Sequence, residues 1–128
     1  MLCRTYSAAC IGIEAITIVV EVDVSQGINF YLVGLPDSAV KESQQRISTA
    51  LQSIDARIPG KKITINLAPA DIRKEGSSFD LAIAIAILSA SGQYKFSSLE
   101  NFIIMGELAL DGTLRPVPGA LSIAIHAA

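Results

Sequence analysis

Apolar and polar side chains alternate from residue 16 to residue 24, with Val19 the one apolar residue on the polar side. Ile16, Ile18, Val20, Val22 and Val24 fall on one side, and Thr17, Val19, Glu21 and Asp23 on the other. A period of two marks a strand with one buried face. Ser25, Gln26 and Gly27 follow as a loop in which Gly can take a positive φ, and Ile28, Phe30 and Leu32 resume the alternation. The two runs are therefore expected to pair as a β-hairpin. Residues 3–9 are a further strand candidate that would pair back through a turn at Gly12.

The period changes after Gly34-Leu35-Pro36-Asp37. Pro36 discourages further strand pairing and Asp37 can accept hydrogen bonds from free amides, so a helix is expected to start here. Val40, Ile47, Ala50, Leu51 and Ile54 form one helical stripe, leaving Lys41, Glu42, Gln45, Arg46 and Gln52 for solvent. Pro59-Gly60 breaks the chain, and Ile63, Ile65 and Leu67 alternate with Thr64 and Asn66 as another strand. Residues 81–88 read LAIAIAIL, which fits a strand by alternation. Helix is preferred because alanine is a strong helix former, Ser77 and Asp80 have capping-box spacing, and Gly92 can close the far end. Apolar on every side, this helix is expected to lie buried against the sheet. Its five Leu and Ile side chains would contribute roughly 1.5–3 kcal/mol each. Residues 102–108 and 113–117 read as strands joined by Asp111-Gly112, a strong hairpin turn. Pro118-Gly119 then leads into an apolar helical pattern over residues 120–128, which suggests a chain cut from something longer.

Composition agrees with one folded unit. In 128 residues, 51% are hydrophobic and 17% charged, which argues against disorder. With seven Phe and Tyr and no Trp, the core must be aliphatic. The length suits a single domain over residues 1–128, and no linker or repeat divides it. The formal net charge of −2 gives no global field toward nucleic acid, so such binding would need a local patch. Glu14 interrupts the apolar run that follows Arg4, which argues against an export signal. Residues 81–90 span half of the ~20 residues a membrane helix needs. A cytoplasmic protein without a membrane partner is expected. Cys3 and Cys10, read as reduced thiols, lie far in sequence from the single histidine, His126, and make an unconvincing zinc set.

Whole classes of enzyme motif are absent: H-E-x-x-H, G-x-S-x-G and G-x-G-x-x-G. Gly60-Lys61 fails as a Walker A end, with Asp55 in place of the first Gly and Lys62 in place of Ser or Thr. Asp37, Asp71 and Asp80 each have a turn or capping role that competes with metal binding. What remains is the KEGSS loop, residues 74–78, where Ser77 and Ser78 stand at a helix start whose amides suit an oxyanion. The ordinary reading of Ser78 is a helix cap.

Three blocks carry a resemblance: GLPDSAVKESQQRI (residues 34–47), INLAPADIRKEGSSFDLAIAIAIL (65–88) and GELALDGTLRPVPGAL (106–121). They resemble the N-terminal domain of the magnesium-chelatase-like AAA+ proteins, the family of ComM and YifB. The resemblance implies an α/β fold like the Lon proteolytic domain and the second domain of a small-subunit ribosomal protein, a mixed sheet of hairpins packed against about three helices. The Lon pattern K-D-G-P-S-A-G lies over residues 74–80 and places Ser78 at the nucleophile position. In Lon a catalytic lysine follows P-x-G-G-L. Here Pro116-Val117-Pro118-Gly119-Ala120 is followed by Leu121, which cannot accept a proton.

The expectation is a non-catalytic domain of a larger ATPase involved in competence and branch migration, helping assembly or guiding DNA. ATP and magnesium would belong to the ATPase domain, with no cofactor or metal in this chain. Its partners would be that domain, neighbouring subunits of a hexamer, and DNA. The resemblance to DNA-processing proteins makes Lys61, Lys62, Arg73 and Lys74 the phosphate-contact candidates. Glu107, beside Gly106, is expected to order a neighbouring loop. The alternative is a Lon-type serine peptidase in which Ser78 is served by Lys74 or Lys62.

Overall fold

The computed structural model describes residues 1–70, 74 and 76–128, with the backbone only at Asp37 and Gly76. The capping role expected of the Asp37 side chain and the roles expected of Asp71 and Arg73 lie outside the described residues. The order of elements is β1 (Leu2–Ile11), β2 (Glu14–Ser25), β3 (Phe30–Val33), α1 (Asp37–Ser53), β4 (Lys62–Ala68), α2 (Asp80–Ala90), β5 (Glu107–Leu108), β6 (Leu114–Arg115) and α3 (Ala120–Ala127). It is the mixed α/β arrangement expected: a mixed four-stranded sheet, a small second sheet and three helices.

The main sheet runs β1-β2-β4-β3. β1 and β2 pair antiparallel through the turn at Gly12, as expected, from Leu2↔Asp23 to Ile11↔Glu14. The expected hairpin between residues 16–24 and 28–32 does not form. β4 enters between them, antiparallel to β2 (Val22↔Ile65) and parallel to β3 (Leu32↔Ile65). Gly27, at φ +135°, packs against the Lys62 side chain, and the Ile63 amide donates to the Asn29 carbonyl at 2.8 Å. The loop after β2 therefore reverses the chain across the start of β4, and β3 lands one strand further on. Ile63, Ile65 and Leu67 gain an interior position, where strands on both sides satisfy the β4 backbone.

One face of the sheet carries the core. Ile18, Val20 and Val22 of β2 and Ile63, Ile65 and Leu67 of β4 pack with Ile47 and Leu51 of α1 and Ile83 and Ile87 of α2. The Thr5 hydroxyl donates to the Ala82 carbonyl at 2.9 Å, fixing α2 over β1. Residues 102–105 form no strand of the second sheet, contrary to expectation. They run along β1, where the Ile104 amide donates to the Tyr6 carbonyl at 2.7 Å and shields that edge. The Asp111-Gly112 hairpin forms with short arms, Glu107↔Arg115 and Leu108↔Leu114. α3 sits over the β1–β2 hairpin, with the Thr17 hydroxyl 2.7 Å from His126 Nε2. Thr17 alternates with Ile16 and Ile18, so α3 covers the face opposite the core.

Candidate functional site

The KEGSS loop enters α2 through a 3-10 turn at Gly76–Phe79. The capping-box reading is corrected. Phe79 occupies the N-cap position and makes no side-chain bond, so Ser78 does not cap this helix. A neighbouring segment does that work: the Leu81 amide donates to the Gly106 carbonyl and the Gly106 amide to the Ser78 carbonyl, both at 3.2 Å. An orphan amide of the first turn is thus satisfied by the chain entering β5.

Asp80 is fully buried. Its carboxylate accepts from Arg46 Nε at 2.6 Å, Arg46 Nη2 at 3.2 Å, Ser43 Oγ at 3.1 Å and the Leu108 amide at 3.3 Å. Burial pushes the carboxyl above its ordinary value, and the Arg46 guanidinium, Leu108 amide and Ser43 hydroxyl oppose that rise. Arg46 is in turn held above its ordinary value by its bond to Asp80. All four partners are donors, an environment that fits the ionised carboxylate. Arg46, expected to face solvent, instead ties α1 to α2. Asp80 is therefore committed to an ion pair and not available to a metal. Among the described residues no three His, Cys, Asp or Glu side chains converge on a metal position.

Lys74 is buried, and its Nζ donates to the Pro69 carbonyl at 2.7 Å. Glu107 lies below the usual carboxylate range because the Ser77 hydroxyl, and then Arg115, hydrogen-bond to it. Glu107 thus lies beside the Ser77 loop, next to Gly106 as in the sequence block GEL.

Ser78 faces a cavity of about 560 Å³ between the tip of the β1–β2 hairpin and the start of α3. Cys10, Phe79, Gly119, Ser122 and Ile123 contribute to its walls. The α3 residues that reach this cavity are Ser122 and Ile123. Leu121, the residue at the lysine position, is exposed and outside the lining. Among the described residues no lysine, histidine or carboxylate lines the cavity, so none of them stands as a general base beside the Ser78 hydroxyl. The sequence reading missed Cys10 and Ser122 as neighbours of Ser78. The signal was the run of small residues at 118–120, which lets two chain segments approach closely: Gly119, at φ +83°, leaves no room for a Cβ beside the Cys10 sulfur.

The four basic candidates do not form one patch. Lys61 and Lys62 are exposed at the start of β4, where the Lys62 ammonium lies 5.9 Å from the Tyr31 ring. Lys74 reaches Pro69, just past the other end of this seven-residue strand, roughly 20 Å away. Its burial removes it from a phosphate-binding surface. Arg73 lies outside the described residues.

Comparison with known proteins places this architecture in a family. The chain is 48% identical over 123 residues to YifB of Salmonella typhimurium, covering 95% of this chain and 24% of that protein. It is 50% identical over 117 residues to the competence protein ComM of Haemophilus influenzae, covering 91% of this chain and 23% of ComM. An uncharacterized Mycobacterium tuberculosis protein is 39% identical over 125 residues, covering 97% of this chain and 25% of its own length. The chain therefore spans about a quarter of the length of the curated relatives it matches. Residues 20–128 match the family model described as subunit ChlI of Mg-chelatase, and the chain belongs to that family.

Proposed function

We propose that this chain is a non-catalytic N-terminal domain of a magnesium-chelatase-related AAA+ ATPase that processes DNA, and that it serves subunit assembly or DNA guidance. The observation that carries the reading is the state of the KEGSS loop. Lys74 is buried on Pro69, Ser77 is bonded to Glu107 and Asp80, at the start of α2, to Arg46, so these polar groups brace the fold. Ser78 faces a cavity in which no base stands among the described residues. ATP and magnesium would be bound in the rest of the longer protein, a hexamer working in the cytoplasm. Of the described candidates, Lys61 and Lys62, exposed at the start of β4, are the ones we assign to DNA phosphates.

The test uses the full-length protein. ATP hydrolysis stimulated by branched DNA is expected, and it should be unchanged in Ser78→Ala. Lys61→Ala with Lys62→Ala should weaken DNA binding and make it less salt-sensitive. Absence of ATP hydrolysis, or its loss in Ser78→Ala, would overturn the proposal. DNA binding unaltered by the double lysine change would remove the guidance role from this surface.

A further inference from the structure

The last helix and the hairpin beneath it expose a large aliphatic surface. Ile13 at the hairpin tip is 90% exposed, and Leu121 and Ile125 of α3 are 76% and 67% exposed. Ile11 adds a further half-exposed side chain. Ile13 and Ile125 share the wall of one cleft, which makes the hairpin tip and helix a continuous patch. Leu121, Ala124, Ile125 and Ala128 recur at i, i+3, i+4 and i+7, the stripe by which a helix faces a core. All four are exposed, whereas Ile123 alone of this helix is buried. The helix thus turns its core-type stripe outward.

The local anchors are few: Ile123, the Thr17 to His126 bond, and the Cys10 thiol 3.6 Å from the Gly119 carbonyl. A helix of eight residues is marginal without packing along its face. The curated relatives are about four times as long as the matched region, so most of their chain is available to cover such a surface. We infer that the patch formed by Ile11, Ile13, Leu121 and Ile125 is an intramolecular docking surface, covered in the full-length protein by the part of the polypeptide outside this chain. This deepens the proposed role in assembly and rests on the chain being one domain of a longer protein. It does not depend on DNA or ATP.

Hydrogen exchange measured by mass spectrometry on the full-length protein tests it, with the assembly state followed in parallel. Amides of α3 and the hairpin tip should exchange at least about tenfold more slowly than in the Ile13→Asp, Ile125→Asp variant, and the protection should persist when the protein is diluted to monomers. Both substituted side chains are mostly exposed here, so the strands distant from the patch should keep their exchange rates in the variant. Protection that vanishes on dissociation would assign the surface to a second copy and overturn the intramolecular inference. Equally fast exchange in parent and variant would also overturn it. Neither result bears on ATP hydrolysis, so this inference and the proposed function fail separately.

Discussion

Replacing Arg46 by Met should be among the most damaging single changes available near the surface of this chain. The substitution keeps much of the aliphatic stem but removes both guanidinium bonds to Asp80, at 2.6 and 3.2 Å, leaving a fully buried carboxylate with only Ser43 and the Leu108 amide. Breaking a buried pair from one side costs about 3–5 kcal/mol. Arg46 is 22% exposed, so water can partly replace it and the lower end, about 3 kcal/mol, is expected. For a domain of this size that lowers Tm by roughly 10–15 °C. The loss should depend on pH with a definite sign. Burial already pushes the Asp80 carboxyl up, and removing Arg46 removes the principal opposing influence. The folded variant then binds a proton more tightly than the unfolded chain, so its deficit is full above the raised value and shrinks as pH falls toward the unfolded carboxyl near about 3.9. Urea unfolding at pH 7.5 and pH 5 measures both effects. Adding Asp80→Asn to Arg46→Met should recover part of the loss at pH 7.5. A deficit below about 1 kcal/mol, or one identical at the two pH values, would refute the buried-pair account.

Ile83→Ala, at a fully buried site of α2, should cost about 3–4 kcal/mol in chemical denaturation, whereas Ile85→Ala on the half-exposed side should cost visibly less. Equal losses would show that the outer side of α2 is covered as tightly as the inner. Glu21 is held below the usual carboxylate range by hydrogen bonds from Asn66 and then Arg4. Its contribution is therefore present above the unfolded carboxyl value and lost as pH falls through the lower folded one. Glu21→Gln should reduce the acid slope of stability between pH 5 and pH 3 with an effect below about 1 kcal/mol, and an unaltered slope would count against it. Gly119→Ala should destabilise by more than about 1 kcal/mol because φ is +83° and the Cys10 sulfur fills the Cβ position. Cys10→Ala should relieve only the steric part, and full recovery would mean the backbone angle carries no cost.

The alternating runs were legible because period two and one buried face coincide at Ile18, Val20 and Val22 and again at Ile63, Ile65 and Leu67. Their partners were not. Residues 16–24 and 28–32 look like neighbours because the connecting loop is short, and the insertion of β4 depends on contacts that form only after α1 returns the chain. Local pattern also misjudged the start of α2: Ser77 and Asp80 have capping spacing, yet one is held by Glu107 and the other by Arg46. Arg46 looked solvent-facing because its helical position lies beside the apolar stripe, where a long side chain can reach inward. The basic residues were legible as charges only. Their number in the sequence said nothing of β4 separating Lys61 and Lys62 from Lys74.

Two different demands on one loop separate the likeness of the KEGSS segment to a catalytic site from what its described side chains do. A nucleophilic serine needs a helix start with free amides, a base within hydrogen-bond reach, and space for substrate. The loop retains the space, as the cavity before Ser78, but the Leu81 amide is already bound to Gly106 and the cavity wall opposite offers Ser122. Restoring a base alone would therefore be insufficient. Ser122→Lys would put an amine at the cavity wall, yet the Gly106 segment would still occupy an amide of the helix start. The same bonds explain what the loop does accomplish: through Glu107, Gly106 and Asp80 it fastens α1, α2 and the β5–β6 hairpin into one unit. On this account the described side chains of the chain's most conspicuous motif act as a brace between elements.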